Sequence, residues 1–77
     1  MAENSANAVL HLPERPRSEV VEGLVKAIAS LPGVGRVARG LKLTSVVLVH
    51  YDSSRLHAYS FIEVARRQGL VARLVST

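Results

Sequence analysis

The run Val46-Val-Leu-Val-His-Tyr-Asp52 constrains this chain more than any other stretch. Six consecutive residues suit extended backbone, and three valines and a leucine among them put apolar side chains on both faces. Such a strand belongs inside a sheet with neighbours on both sides, because its backbone donors and acceptors need partners away from water. It ends in Asp52-Ser-Ser54, side chains that favour a helix start. The flanking strands and the covering helices must come from the rest of the chain.

Toward the amino end, Ala8-Val-Leu-His-Leu12 alternates as a short strand, and Pro13 stops it. Pro13 and Pro16 keep residues 13–17 in a loop. Ser18 is a candidate helix cap, after which Val21, Leu24, Val25, Ile28 and Leu31 recur as one apolar stripe on a helix of about 13 residues. Glu19 and Glu22 suit the positive end of that helix. Leu31-Pro-Gly33 then turns the chain. Residues 34–43 set Val37, Leu41 and Leu43 among Arg36, Arg39 and Lys42, the pattern of an edge strand guarded by cations, and a turn around Thr44-Ser45 follows. Beyond Asp52, the stripe Ala58, Phe61, Ile62 and Ala65 predicts a second helix, closed by Arg66, Arg67 and a left-handed Gly69. Leu70-Val-Ala-Arg-Leu-Val75 supplies the last strand. With two right-handed crossovers this order gives an α+β, ferredoxin-like βαββαβ fold: a four-stranded antiparallel sheet with both helices on one face. Residues 1–7 are expected to form a flexible tail and residues 8–77 a single domain.

A chain of 77 residues buries only roughly 60% of the surface its unfolded form exposes, so its core has little to spare. Without cysteine it has neither a disulfide framework nor a thiolate metal ligand. No apolar run approaches the roughly 18 residues of a membrane span, and Glu3 with two asparagines does not make a signal peptide, so a cytoplasmic location is expected, either alone or as the leading cytosolic domain of a longer membrane protein. The net charge is +4, but the cations are spread out and the aromatic residues are only Tyr51, Tyr59 and Phe61. That is the pattern of a solvated surface more than of a base-stacking one, which leaves a small basic nucleic-acid-binding protein as the alternative function. No cofactor is indicated. The acids are scattered and Ser18, Ser53 and Ser54 are accounted for by capping, so no catalytic residue is assigned and an enzyme is not expected.

Ala29-Ser-Leu-Pro-Gly-Val34 with Val37, Val47-Leu-Val-His-Tyr-Asp52, Ser54-Arg-Leu56, Ile62, Ala65 and Gly69-Leu-Val-Ala-Arg-Leu74 together resemble the heavy-metal-associated domains of metallochaperones and metal-pumping P-type ATPases. The resemblance covers nearly the whole chain. In metal-binding members a Met-x-Cys-x-x-Cys loop precedes the first helix, and two thiolates hold a soft ion. Counting back from Leu31-Pro-Gly-Val34, those cysteine positions fall on Arg17 and Val20. A guanidinium is permanently cationic and valine has no donor atom, so neither can take a thiolate's place. The chain resembles the cysteine-free branch of the family, whose members stand before or beside metal-pumping ATPases. That resemblance implies a non-catalytic interaction or regulatory module linked to metal transport, and not a thiolate metallochaperone.

Histidine offers a weaker route to metal. His11 and His50 fall on strands that neighbour each other in this fold, and alternation turns both to the uncovered face, so they are candidate ligands a few Å apart. Two histidines still lack the third protein ligand that Zn normally takes. His57, near the second helix start, reads as a cap or an exposed residue. The run Pro-Gly-Val-Gly35 also occurs in helix-hairpin-helix DNA-binding turns, but residues 39–47 show no helical stripe to complete one.

The same alternation defines an interaction surface. With Leu10, Val47, Val49, Ala72 and Leu74 inward, Val9, Val46, Leu48, Val71 and Val75 turn outward beside His11, His50 and Arg73. Five aliphatic side chains on one open face predict a protein partner there, either a second copy of the chain or a domain of a metal transporter.

Overall fold

A computed structural model describes residues 4–40 and 45–76. In chain order the elements are β1 (Ser5–His11), α1 (Ser18–Ala29), β2 (Val34–Arg39), β3 (Val46–Asp52), α2 (Tyr59–Arg67) and β4 (Arg73–Ser76). The four strands make one antiparallel sheet in the order β2-β3-β1-β4. The fold is the expected ferredoxin-like one, and β3 spans the residues that the apolar run predicts. Among the described residues no helix is long and apolar enough to cross a membrane.

Both helices cover one face. Leu10, Val47, Val49 and Tyr51 point from the two central strands into a core completed by Val21, Leu24 and Ile28 of α1 and by Phe61 and Ala65 of α2, all buried. Burying each large aliphatic or aromatic side chain contributes about 1.5–3 kcal/mol. Tyr51 and Phe61 meet edge to face, with ring centroids 5.0 Å apart and planes at 78°, the geometry that the aromatic quadrupole favours.

The turns follow from particular residues. Val34 N–H donates to Leu31 O at 3.2 Å, and Gly33 between them has φ 98°. Proline second and a positive-φ glycine third are the requirements of a type II turn. Gly33 O accepts from Asp52 N–H at 2.8 Å, so the turn delivers β2 against the end of β3. At the close of α2, Leu70 N–H donates to Ala65 O at 2.9 Å and Gly69 N–H to Arg66 O at 3.0 Å, with Gly69 at φ 76°. This is a Schellman ending.

Several boundaries differ from the sequence reading. β1 begins at Ser5 and not Ala8: Ser5, Ala6 and Asn7 pair with Asp52, Tyr51 and His50. Ser53 secures that end, because its N–H and its hydroxyl both donate to Asn4 O, at 2.7 and 2.6 Å. Ser18 does not cap α1. The extended cap position falls on Arg17, and no side chain bonds there. Asp52 does not cap α2 either, since its carboxylate takes Ser54 N–H and Oγ–H at 2.9 and 2.7 Å and the helix waits until Tyr59. β4 is shorter than residues 70–75 suggest, and it is bulged: Leu74 pairs with Leu10 but Ser76 with Val9, which leaves Val75 over. On this edge Leu74, expected inward, remains 37% exposed. Val34–Arg39 is a strand, so the helix that a helix-hairpin-helix motif would need there is replaced by sheet. Leu41, Lys42, Leu43 and Thr44, assigned from sequence to the second strand and its turn, lie outside the described residues, as do residues 1–3 and Thr77.

Candidate functional site

Strand pairing arranges the open face in rows. Ala38, Leu48 and Val9 stand opposite one another across β2, β3 and β1. One pleat away lie Arg36, His50 and Asn7; one pleat the other way lie Val46, His11 and Arg73. Leu48, 42% exposed, holds the middle of this pattern, with Val9 and Val46 half-buried beside it. Val75, the bulge residue of β4, is 64% exposed at the edge. Val71 stands apart from the ladder: it precedes β4 and borders a hollow with Ile62, Arg66, Leu70 and Ala72 beside α2.

The polar row has a built geometry. His50 Nδ1 lies 2.9 Å from Asn7 Oδ1. An amide oxygen only accepts, so this contact is a hydrogen bond in the tautomer that carries the proton on Nδ1. The pairing between β2 and β3 shifts at Gly35, where Val34 faces Tyr51 and Arg36 faces His50. A Cβ at Gly35 would lie 3.4 Å from His50 Cδ2 and 3.5 Å from His50 O, ordinary contact distances, so the bulge brings this backbone close beside the imidazole. Asn7, Gly35, Arg36, Leu48 and His50 line a shallow concavity of about 460 Å³. Asp52 is on the same face, two residues beyond His50, with its carboxylate turned to Ser54. The hydroxyl and the backbone N–H of Ser54, with a smaller contribution from the Arg55 charge, hold its pKa below the ordinary value against a slight opposing effect of burial.

Alternation places His50 and Leu48 on this face, and Gly35 falls in the expected edge strand as it does here, whereas Asn7, expected in a tail, stands in β1. A glycine within an otherwise strand-like run is a bulge signal, and it is the one that points to the hollow.

The candidate metal residues do not converge. His11 faces Val46 and His50 faces Asn7, an offset of four residues along β3 or about 13 Å. They share a face but not a site, which corrects the expectation that they lie a few Å apart. His57 is exposed ahead of α2, where its carbonyl accepts from Ser60 N–H at 2.9 Å. Arg17 occupies the cap position of α1, and Val20, one turn in, is 40% exposed. Arg15, in the same loop, has φ 50°. Two guanidinium groups and an aliphatic side chain at this end of the molecule oppose a metal cation electrostatically and give it no soft donor.

No family model matches the chain, and no curated protein matches it by sequence. Solved structures match its shape closely. Oxidized MerP from Ralstonia metallidurans superposes with a TM-score of 0.81 at 18% identity, covering 94% of this chain and 99% of MerP. The yeast copper transporter domain Ccc2a, described in apo and Cu(I)-loaded states, gives 0.79 at 20% identity, covering 91% and 94%. The N-terminal domain of PacS from Synechocystis gives 0.71 at 21% identity, covering 92% and 98%. At such identities the likeness establishes the fold.

Proposed function

We propose that this chain is a non-catalytic interaction or regulatory module of the heavy-metal-associated kind, serving metal transport without holding a thiolate-bound ion itself. It meets a protein partner through the open face of its sheet, either a second copy or a domain of a metal transporter. The observation that carries this reading is Leu48, 42% exposed between Ala38 and Val9 in the middle of the uncovered face. An aliphatic side chain at the centre of a sheet face is the place where a partner gains most by excluding water. The likeness in fold to a copper transporter domain supports the link to metal transport. The lack of cysteine, with Arg17 and Val20 at the family's thiolate positions, supports a role other than ion transfer through thiolates.

The test is Leu48→Lys. A charge placed there must be desolvated on association and would weaken it strongly, while an outward position leaves the fold unchanged. Sedimentation across a concentration series reads self-association, and binding to cytosolic domains of metal transporters reads docking. A wild-type chain that stays monomeric and binds its transporter domains no better than Leu48→Lys would refute the reading.

A further inference from the structure

We propose that the hollow formed by Asn7, Gly35, Arg36, Leu48 and His50 receives the carboxylate of an acidic side chain on a different protein, so that the partner of the open face is acidic and is not a second copy of this chain. The inference rests on the reading of that face as an interaction surface, and it names the partner's chemistry.

Four observations converge on a carboxylate. Arg36 brings a permanent cation with a planar fork of donors to the rim of the hollow. The ion pair among the described residues is Arg39 to Glu22 at 3.3 Å, which joins β2 to α1 and leaves Arg36 out. Asn7 commits its oxygen to His50 and so has its amide N–H groups left to donate. Gly35 contributes no side chain to fill the space, and Leu48 supplies an apolar wall for the methylene that carries an aspartate or glutamate headgroup.

The charge distribution selects the source. A nucleic-acid backbone presents phosphate after phosphate and is met by a run of cations. Among the described residues the next cation on the strands of this face, Arg73, stands opposite His11 at the far end of the ladder. A second copy is disfavoured by its own charge. Each chain carries a net +4, and two apposed faces would bring two copies each of Arg36 and Arg73 into one interface. Asp52, the acid beside His50, turns Oδ1 to the hydroxyl and N–H of Ser54. An acidic partner brings opposite charge to Arg36 and Arg73 and avoids that repulsion.

The experiment is a titration of the isotope-labelled chain with a blocked Leu-Asp-Leu peptide, its Leu-Asn-Leu counterpart and inorganic phosphate at low salt. The aspartate peptide should shift the amides of Asn7, Gly35, Arg36, Leu48 and His50, and bind roughly tenfold more tightly than the asparagine peptide. Arg36→Gln, an exposed change, should remove most of that difference. Equal binding of the two peptides, or tighter binding of phosphate than of the aspartate peptide, overturns the proposal. So does self-association that Arg36→Gln strengthens. If Leu48→Lys abolishes partner binding while Arg36→Gln leaves it intact, the interaction face stands and the carboxylate site falls.

Discussion

Asn7 Oδ1 and His50 Nδ1 lie 2.9 Å apart across two central strands, though 43 residues separate them in the chain. The contact favours the tautomer with its proton on Nδ1 and ties the start of β1 to β3. Replacing Asn7 by Ala should cost only about 0.5–1.5 kcal/mol, because water can serve the exposed ring. Its clearer signature is chemical. Nitrogen-15 shifts of the His50 ring should report the Nδ1–H form in the wild type and a mixture in Asn7→Ala. Identical ring spectra would mean that Asn7 does not set the tautomer.

Phe61 is fully buried against Tyr51. Phe61→Ala removes the largest fully buried side chain and its edge-to-face contact, at an expected cost of about 3–5 kcal/mol. For so small a domain this is a large share of the total stability. Urea denaturation should show a much lower midpoint, and a shift comparable to that of an exposed substitution such as Tyr59→Ala would contradict the packing described.

Asp52 predicts a pH dependence with a definite sign. Its folded-state pKa is depressed, chiefly by the hydroxyl and then the N–H of Ser54. The folded state therefore gains from its ionised form above about pH 4, and that gain is lost as pH falls through the lower folded value. Carbon-13 titration of the side-chain carboxyl should place its midpoint below that of a model aspartate, and Ser54→Ala should raise it. A midpoint unmoved by Ser54→Ala would assign the shift elsewhere.

Metal gives a further check. With His11 opposite Val46 and His50 opposite Asn7, stoichiometric Zn(II) should leave most amide resonances in place and produce no coupled response of the two rings. Submicromolar binding that moves both together would require a rearranged sheet.

Much of this architecture is legible in the residues. The β3 run predicts its own bounds, the helix stripes predict Val21, Leu24, Ile28, Phe61 and Ala65 as core, and Gly69 marks its left-handed turn. The misses have a common cause. Ser5 and Asn7 are polar on exposed positions, so no apolar alternation announces the strand, and what holds this end is distant: His50 opposite Asn7, Asp52 opposite Ser5, and Ser53 on the carbonyl of Asn4. The separation of His11 from His50 is likewise a matter of register, which alternation does not contain. Alternation names the face of a side chain, and only the ladder says how far along that face it sits.

The register of β1 has a consequence for how the chain is made. Ser5 pairs with Asp52 and His11 with Val46, so β1, once synthesised, meets its central neighbour only after the helix, the turn and the edge strand between them have followed. The roughly forty residues from His11 to Asp52 take about 2–8 s at 5–20 residues per second. Throughout that interval Leu10 and Leu12, both destined for the interior, have no sheet to enter. A nascent chain of this fold must keep its opening strand from other partners for some seconds, and β3 is the segment whose arrival ends the wait.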